Sequence, residues 1–132
     1  MMHKLLLLAS FLSLGAYGAF ELWHRLVTCA PHIQADLLSP DGARRAVLYN
    51  MDCEATTGLD THIALMPAGG AFKAERHPPI FVLDGSHDVK MSWRDGRTLV
   101  VDLPSSPARI QQQEDSSGPV QIVYERRGAA QP

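Results

Sequence analysis

Ser39-Pro40-Asp41-Gly42 begins the stretch 39–58, SPDGARRAVLYNMDCEATTG, whose reading decides the fold. Proline fixes φ at the second position of a tight turn, and glycine accepts the left-handed exit. Residues 43–53 then alternate. Val47, Tyr49, Met51 and Cys53 share one side, and Ala46, Leu48, Asn50 and Asp52 the other. A period of two is the mark of a β-strand. The first side reads as core and the second as mixed, so the strand reads as central with its reverse face partly covered. From Glu54 to Asp60 the alternation breaks, as at a bulge or an Ω-like crossing.

Upstream, Ile33, Ala35 and Leu37 alternate with Gln34 and Asp36, a half-exposed strand that joins the first through SPDG as a hairpin. Downstream, Ile63 and Leu65 resume the alternation as far as Pro67. Ala68-Gly69-Gly70-Ala71 is a turn, and 72–79 (FKAERHPP) reads as a charged, proline-bearing loop. A short apolar strand covers 80–83. Val89, Met91 and Trp93 then alternate up to Asp95-Gly96, a candidate type I′ turn, and Leu99, Val101 and Leu103 return. Residues 110–113 form either a short edge segment or part of the polar loop that runs to Pro119, and 120–125 form a last strand. The expectation is an all-β fold, a small antiparallel meander or sandwich of six to seven strands, preceded by an N-terminal apolar helix.

The 132 residues suffice for one domain, expected over 29–127 with a frayed tail at 128–132. A formal charge of -2 with the two signs interspersed gives no basic footprint for nucleic acid. Ahead of the domain, Lys4 precedes an apolar run from Leu5 to Phe20, the pattern of a secretory signal, with small residues at Ala16 and Gly18 offering a cleavage site. An uncleaved anchor from Leu5 to Val27 competes with it, placing Trp23 at the interface. Lipidation of Cys29 is a third route, although Leu26-Val27-Thr28 is a poor lipobox. All three place residues 29–132 outside the cytoplasm, in the bacterial periplasm, soluble or anchored to the inner membrane. In that compartment the two cysteines, Cys29 and Cys53, read as a disulfide closing about two dozen residues, worth roughly 3 kcal/mol on the chain-entropy model.

Catalytic constellations are sparse. Six histidines are scattered without metal-motif spacing and read as surface residues, and neither a metal nor a cofactor is expected. Ser86-His87-Asp88 holds triad residue types, but neighbours in one turn rarely reach triad geometry, and the segment reads as turn chemistry. An envelope hydrolase using His62, His77 or His87 with a carboxylate is the outlying alternative. Asp52 and Glu54 read as a solvated edge or as partners of Arg44 or Arg45. The partner-binding candidates are Glu54, Thr56 and Thr57, together with Arg76 and His77 at a projecting loop tip. Trp93 alternates with the strand core and reads as buried.

Cys29, then Ser39-Pro40-Asp41-Gly42, then Asp52-Cys53-Glu54-Ala55-Thr56-Thr57-Gly58, with Trp93 and Leu99 later, resemble an uncharacterised family of small bacterial exported or lipid-anchored proteins. That family pairs an SPDG-opened strand with a C-G-A-T-T-G segment and a later W-x-x-x-x-x-L strand. The likeness spans about residues 29–103, and Glu54 stands where the family has glycine. It implies an exported β-domain and brings no activity with it. The expected function is a non-enzymatic, envelope-resident protein-binding domain, one version being an immunity or inhibitor protein against a periplasmic toxin. The alternative is an accessory subunit of an envelope complex held at the membrane.

Overall fold

The computed structural model describes residues 29–53, 58–105 and 108–128, together with Gly18. The expected leader or anchor, apart from Gly18, and the segment 54–57 lie outside the described residues. Among the described residues, no helix is long and apolar enough to cross a membrane.

The described residues form nine strands: β1 (Cys29–Leu38), β2 (Arg44–Cys53), β3 (Gly58–Pro67), β4 (Pro79–Asp84), β5 (Lys90–Asp95), β6 (Thr98–Leu103), β7 (Ile110–Gln113), β8 (Ser116–Ser117) and β9 (Val120–Arg126). They form a five-stranded sheet ordered β1-β2-β3-β4-β7 and a four-stranded sheet ordered β5-β6-β9-β8. The all-β expectation holds, but the strand count is higher and the path is not a meander. After β6 the chain crosses to the first sheet, where β7 pairs antiparallel with β4. It then returns through the antiparallel β8–β9 pair, and β9 lies parallel to β6. Local alternation carries no mark of a change of sheet, and β8 sits inside what reads as a polar loop.

Residues 30–52 and 58–132 make up one compact unit. In the other, formed by 1–29 with 53–57, Cys29 and Cys53 are joined by the expected disulfide.

The two sheets share a core. Ala46, Leu48, Ile63, Phe81 and Leu83 of the first meet Leu99, Val101, Leu103, Val120 and Ile122 of the second. This corrects the reading of β2, because the side that looks mixed in sequence is the one facing the shared core. Val47 and Tyr49, the side that looks plainly apolar, form a separate cluster with Ala64 and Met66 on the opposite face. Five successive residues of β2, from Ala46 to Asn50, are buried. Such continuous burial needs cover on both sides of the strand.

The SPDG turn forms as expected. The Gly42 amide donates to the Ser39 carbonyl at 2.9 Å, and Gly42 has φ 71°. Ser39 is only 2% exposed, yet its hydroxyl is satisfied in both roles. It donates to Asp41 Oδ1 at 2.6 Å and accepts from the Arg44 amide at 3.0 Å. Asp41 Oδ1 also accepts from the Ala43 amide. The Ser39 hydroxyl and then the Ala43 amide hold the Asp41 carboxyl below its usual range.

The β5–β6 turn departs from expectation. Gly96 is not among the positive-φ glycines, so the turn is not type I′. Asp95 closes it instead, accepting from the Arg97 amide at 2.8 Å and from the Thr98 hydroxyl at 3.2 Å. Glycine is favoured at 96 by proximity: a Cβ there would lie 2.6 Å from Asp41 Oδ2, so the Asp41 side chain would have to move. The two turns therefore abut. Beside them, Trp93 Nε1 donates to the Leu37 carbonyl at 3.0 Å, tying β5 to β1. Trp93 itself is half-buried.

Gly96→Ala is expected to destabilise the fold by about 2 kcal/mol, the scale of an overpacking substitution. Gly69→Ala is the control, since Gly69 has no heavy atom within 4 Å of its would-be Cβ and no positive φ. Urea denaturation of the two variants should separate them. Equal midpoints would mean that Asp41 yields freely and the abutment constrains nothing.

Candidate functional site

The connection between β3 and β4 is an ordered strap laid over the outer cluster of the first sheet. Phe72 sits with its ring centroid 4.8 Å from that of Tyr49, and Ala74 packs on the same cluster. His77 stacks on Phe72 at 5.8 Å with planes 26° apart. The strap is closed on itself by the Arg76 and His77 amides, both donating to the Lys73 carbonyl at 3.0 Å. The Lys73 amide and carbonyl lie 3.2 and 2.9 Å from His77 Nδ1. At its near end, Arg45 Nη1 donates to the Gly70 carbonyl at 2.7 Å, while the rest of that guanidinium grips Asp36. Arg45 thereby holds the Asp36 carboxyl below the usual range.

This geometry separates the two loop residues expected to meet a partner. His77 is half-buried and shapes the strap, whereas Arg76 is exposed with Lys73 and Glu75 around it. Lys73, Glu75 and Arg76 have no ion-pair partner among the described residues. Glu54, Thr56 and Thr57 lie outside the described residues. Asp52 is paired differently from expectation: His32 Nε2 lies 3.7 Å from its Oδ2, and Arg45 is committed to Asp36.

His62 is also not the surface histidine it resembles in sequence. It lies on the strap side of β3, half-buried, with its ring 5.1 Å from that of Tyr49. Its Nδ1 is buried without a hydrogen-bond partner among the described residues. Burial lowers its pKa, partly opposed by Asp60. Burial likewise raises the Tyr49 phenol. The sequence signal for His62 is its parity with Ala64 and Met66, which matters only once that face is known to be covered.

Away from the strap, a concavity of about 620 Å³ opens between β1 and residues 86–91, with Ala35, Leu48, Val89 and Met91 among its walls. That volume is ordinary for a ligand cleft. At its end, Asn50 Nδ2 donates to Ser86 Oγ at 2.8 Å. His87 Nε2 lies 2.9 Å from the Asp84 carbonyl, and Arg127 holds Asp88 at 2.9 Å. No hydrogen bond joins Ser86 to His87 among the described residues, and each member of the segment is occupied in holding the β4–β5 connection. Thr61 completes it, donating to the Gly85 carbonyl at 2.7 Å and accepting from the His87 amide at 3.3 Å. Among the described residues no cluster of His, Cys, Asp and Glu could hold a metal ion.

No protein-family model matches the chain, and no curated protein or solved structure matches it either.

Two outcomes follow from the strap. Phe72→Ala should cost about 2 kcal/mol, below the range for a fully buried phenylalanine, and should speed amide exchange across 72–77. Unchanged protection there would show that Phe72 does not hold the strap. The second concerns acid. Because His62 has a lowered pKa in the fold, the unfolded chain takes up that proton first as pH falls below its ordinary value of 6.5. Stability should therefore fall as pH drops from that value through the lower folded one. His62→Gln should flatten this part of the stability profile, and equal slopes for variant and wild type would refute it.

Proposed function

We propose that the chain is a non-enzymatic protein-binding domain of the bacterial cell envelope, which meets its partner through the strap. The observation that carries this reading is the contrast within residues 72–77. Phe72, Ala74 and His77 are fastened to the sheet or to one another, while Lys73, Glu75 and Arg76 are exposed without ion-pair partners among the described residues. A segment already held in one conformation loses little freedom when a partner arrives, so more of the contact energy appears as affinity. Charged side chains on a rigidly supported loop are a common recognition arrangement, and arginine is frequent among residues that dominate binding.

The Cys29–Cys53 disulfide supports an oxidising compartment, in keeping with the leader-like sequence ahead of it. Within this reading, an immunity or inhibitor protein that occupies a periplasmic toxin is the concrete version. Mixed charge on the strap would then select a partner surface of complementary pattern and steer the encounter.

The test is affinity capture from solubilised envelopes with tagged full-length protein, wild type against Lys73→Glu/Arg76→Glu. Both side chains are exposed, so the variant should melt like wild type. A stoichiometric partner captured by wild type and lost by the variant is the expected result. Capture of no stoichiometric partner, or equal capture by both forms, would overturn the reading.

A further inference from the structure

One end of the sandwich, where β2 begins and β3 ends, holds a smaller concavity of about 340 Å³. Ala43 and Arg44 line it together with Leu65 to Pro67 from the first sheet, and Ser117 to Pro119 line it from the second. Its volume lies at the small end of the range for ligand cavities.

Strand parity gives the direction of its side chains. On β2, Arg45 reaches the strap through the Gly70 carbonyl, so Arg44 belongs to the other face, with Ala46 and Leu48 of the shared core. On β3, Leu65 packs against the same core. On β8, Ser117 pairs with Val120, and residues opposite each other in an antiparallel pair share a face. Val120 is fully buried in the shared core, so the Ser117 side chain faces inward as well. A guanidinium and a hydroxyl thus stand at the lip of an apolar interior, one from each sheet.

The charge of Arg44 is unmet. Among the described residues three arginines are half-buried: Arg44, Arg45 and Arg127. Arg45 grips Asp36, and Arg127 holds Asp88 and Asp102. Arg44 has no ion pair, and its guanidinium makes no hydrogen bond among the described residues. The Ser117 hydroxyl makes none either. Asp41 feels the Arg44 charge, but its Oδ1 is committed to the Ser39 hydroxyl and the Ala43 amide. Among the described residues no acidic side chain lines the concavity. A cation drawn partly out of water without a counter-charge favours an anion beside it.

We infer that this concavity binds a small apolar monocarboxylate, with its carboxylate on Arg44 and Ser117 and its hydrocarbon body against Leu65, Pro67 and Pro119. A planar guanidinium offers two parallel N–H donors, which match the two oxygens of a carboxylate. One cation suits one negative charge, and a phosphate dianion would be left half neutralised. The second-sheet wall is set in advance. Gly118 takes φ 57° in the link between β8 and β9, and Pro119 fixes its own φ. A wall of that kind loses little freedom when a ligand arrives. Arg44 faces away from the strap side of the sheet, so the site does not depend on what the strap binds.

The test titrates isotopically labelled full-length protein with sodium hexanoate at neutral pH and follows the backbone amide resonances. Saturable shifts are expected at residues 43–44, 65–66 and 117–118. Hexanamide keeps the body and loses the charge, and acetate keeps the charge and loses most of the body. Each should bind at least tenfold more weakly than hexanoate. Arg44→Gln should weaken hexanoate at least tenfold, the scale of a charge-assisted hydrogen bond, and change hexanamide far less. Ser117→Ala removes a hydroxyl that supports nothing in the fold, so it probes the site even if Arg44→Gln unfolds. It should weaken hexanoate about threefold. Absence of saturable shifts, shifts confined to other surfaces, equal binding of hexanamide or acetate, or undiminished affinity in either variant would overturn the proposal. Lys73→Glu/Arg76→Glu should bind hexanoate like wild type, so failure of the strap reading and failure of this one are read separately.

Discussion

Burial of β2 on both faces is the constraint from which the rest of the architecture follows. A strand whose residues from Ala46 to Asn50 are all buried cannot lie at a simple sheet surface. One face is covered by the second sheet, through Leu99, Val101 and Leu103 of β6 and the facing residues of β9. The other needs separate cover, which Phe72 and Ala74 of the strap supply over Val47 and Tyr49. The strap is thus a third layer over part of one sheet. Its order has a hydrophobic cause, and its exposed charges are a consequence of lying on top.

The open side of the sandwich is managed by polar contacts that join the two sheets where no strand does. Trp93 reaches from β5 to the Leu37 carbonyl, and the Asp41 carboxylate fills the space against Gly96. Farther along, Asn50 holds Ser86 and Thr61 holds the Gly85 carbonyl, which fixes the start of the β4–β5 connection that runs from one sheet to the other. A single hydrogen bond of this kind contributes about 1 kcal/mol, so none of them drives folding alone. Their effect is positional. They set where the edges of the sheets lie, and with that the cleft beside β1.

Much of this was legible in sequence, within limits that have physical causes. Period-two alternation located β1 to β3, β5, β6 and β9, a short apolar run located β4, and the chemistry of Ser39-Pro40-Asp41-Gly42 gave the first turn correctly. Two cysteines with no third competitor identified the disulfide. What alternation cannot tell is which of two apolar faces meets which layer, and so Val47 and Tyr49 were assigned to the main core. β7 (Ile110–Gln113) reads in sequence as either an edge segment or loop, and β8 (Ser116–Ser117) is too short and polar to announce itself; without both, the parallel placement of β9 has no cause. Gly96 shows another limit. A glycine after aspartate looks like a demand for left-handed backbone, while the actual demand comes from Asp41, 55 residues earlier in the chain.

The candidate site divides along the same line. Arg76 is exposed, as the rule that charged residues at loop tips stand clear of the body predicts, and that rule needs only local sequence. His77 failed it because its neighbour Phe72 is drawn onto Tyr49, a contact made across the sheet. His62 was missed for the same reason, since its environment is created by Tyr49 on one strand and by cover from a loop that looks free. A polar side chain near an apolar stripe is therefore ambiguous until the cover of that stripe is known. Here the deciding residue is Phe72: it brings His77 and the strap into the folded body, and it leaves Lys73, Glu75 and Arg76 as the part that another molecule can reach.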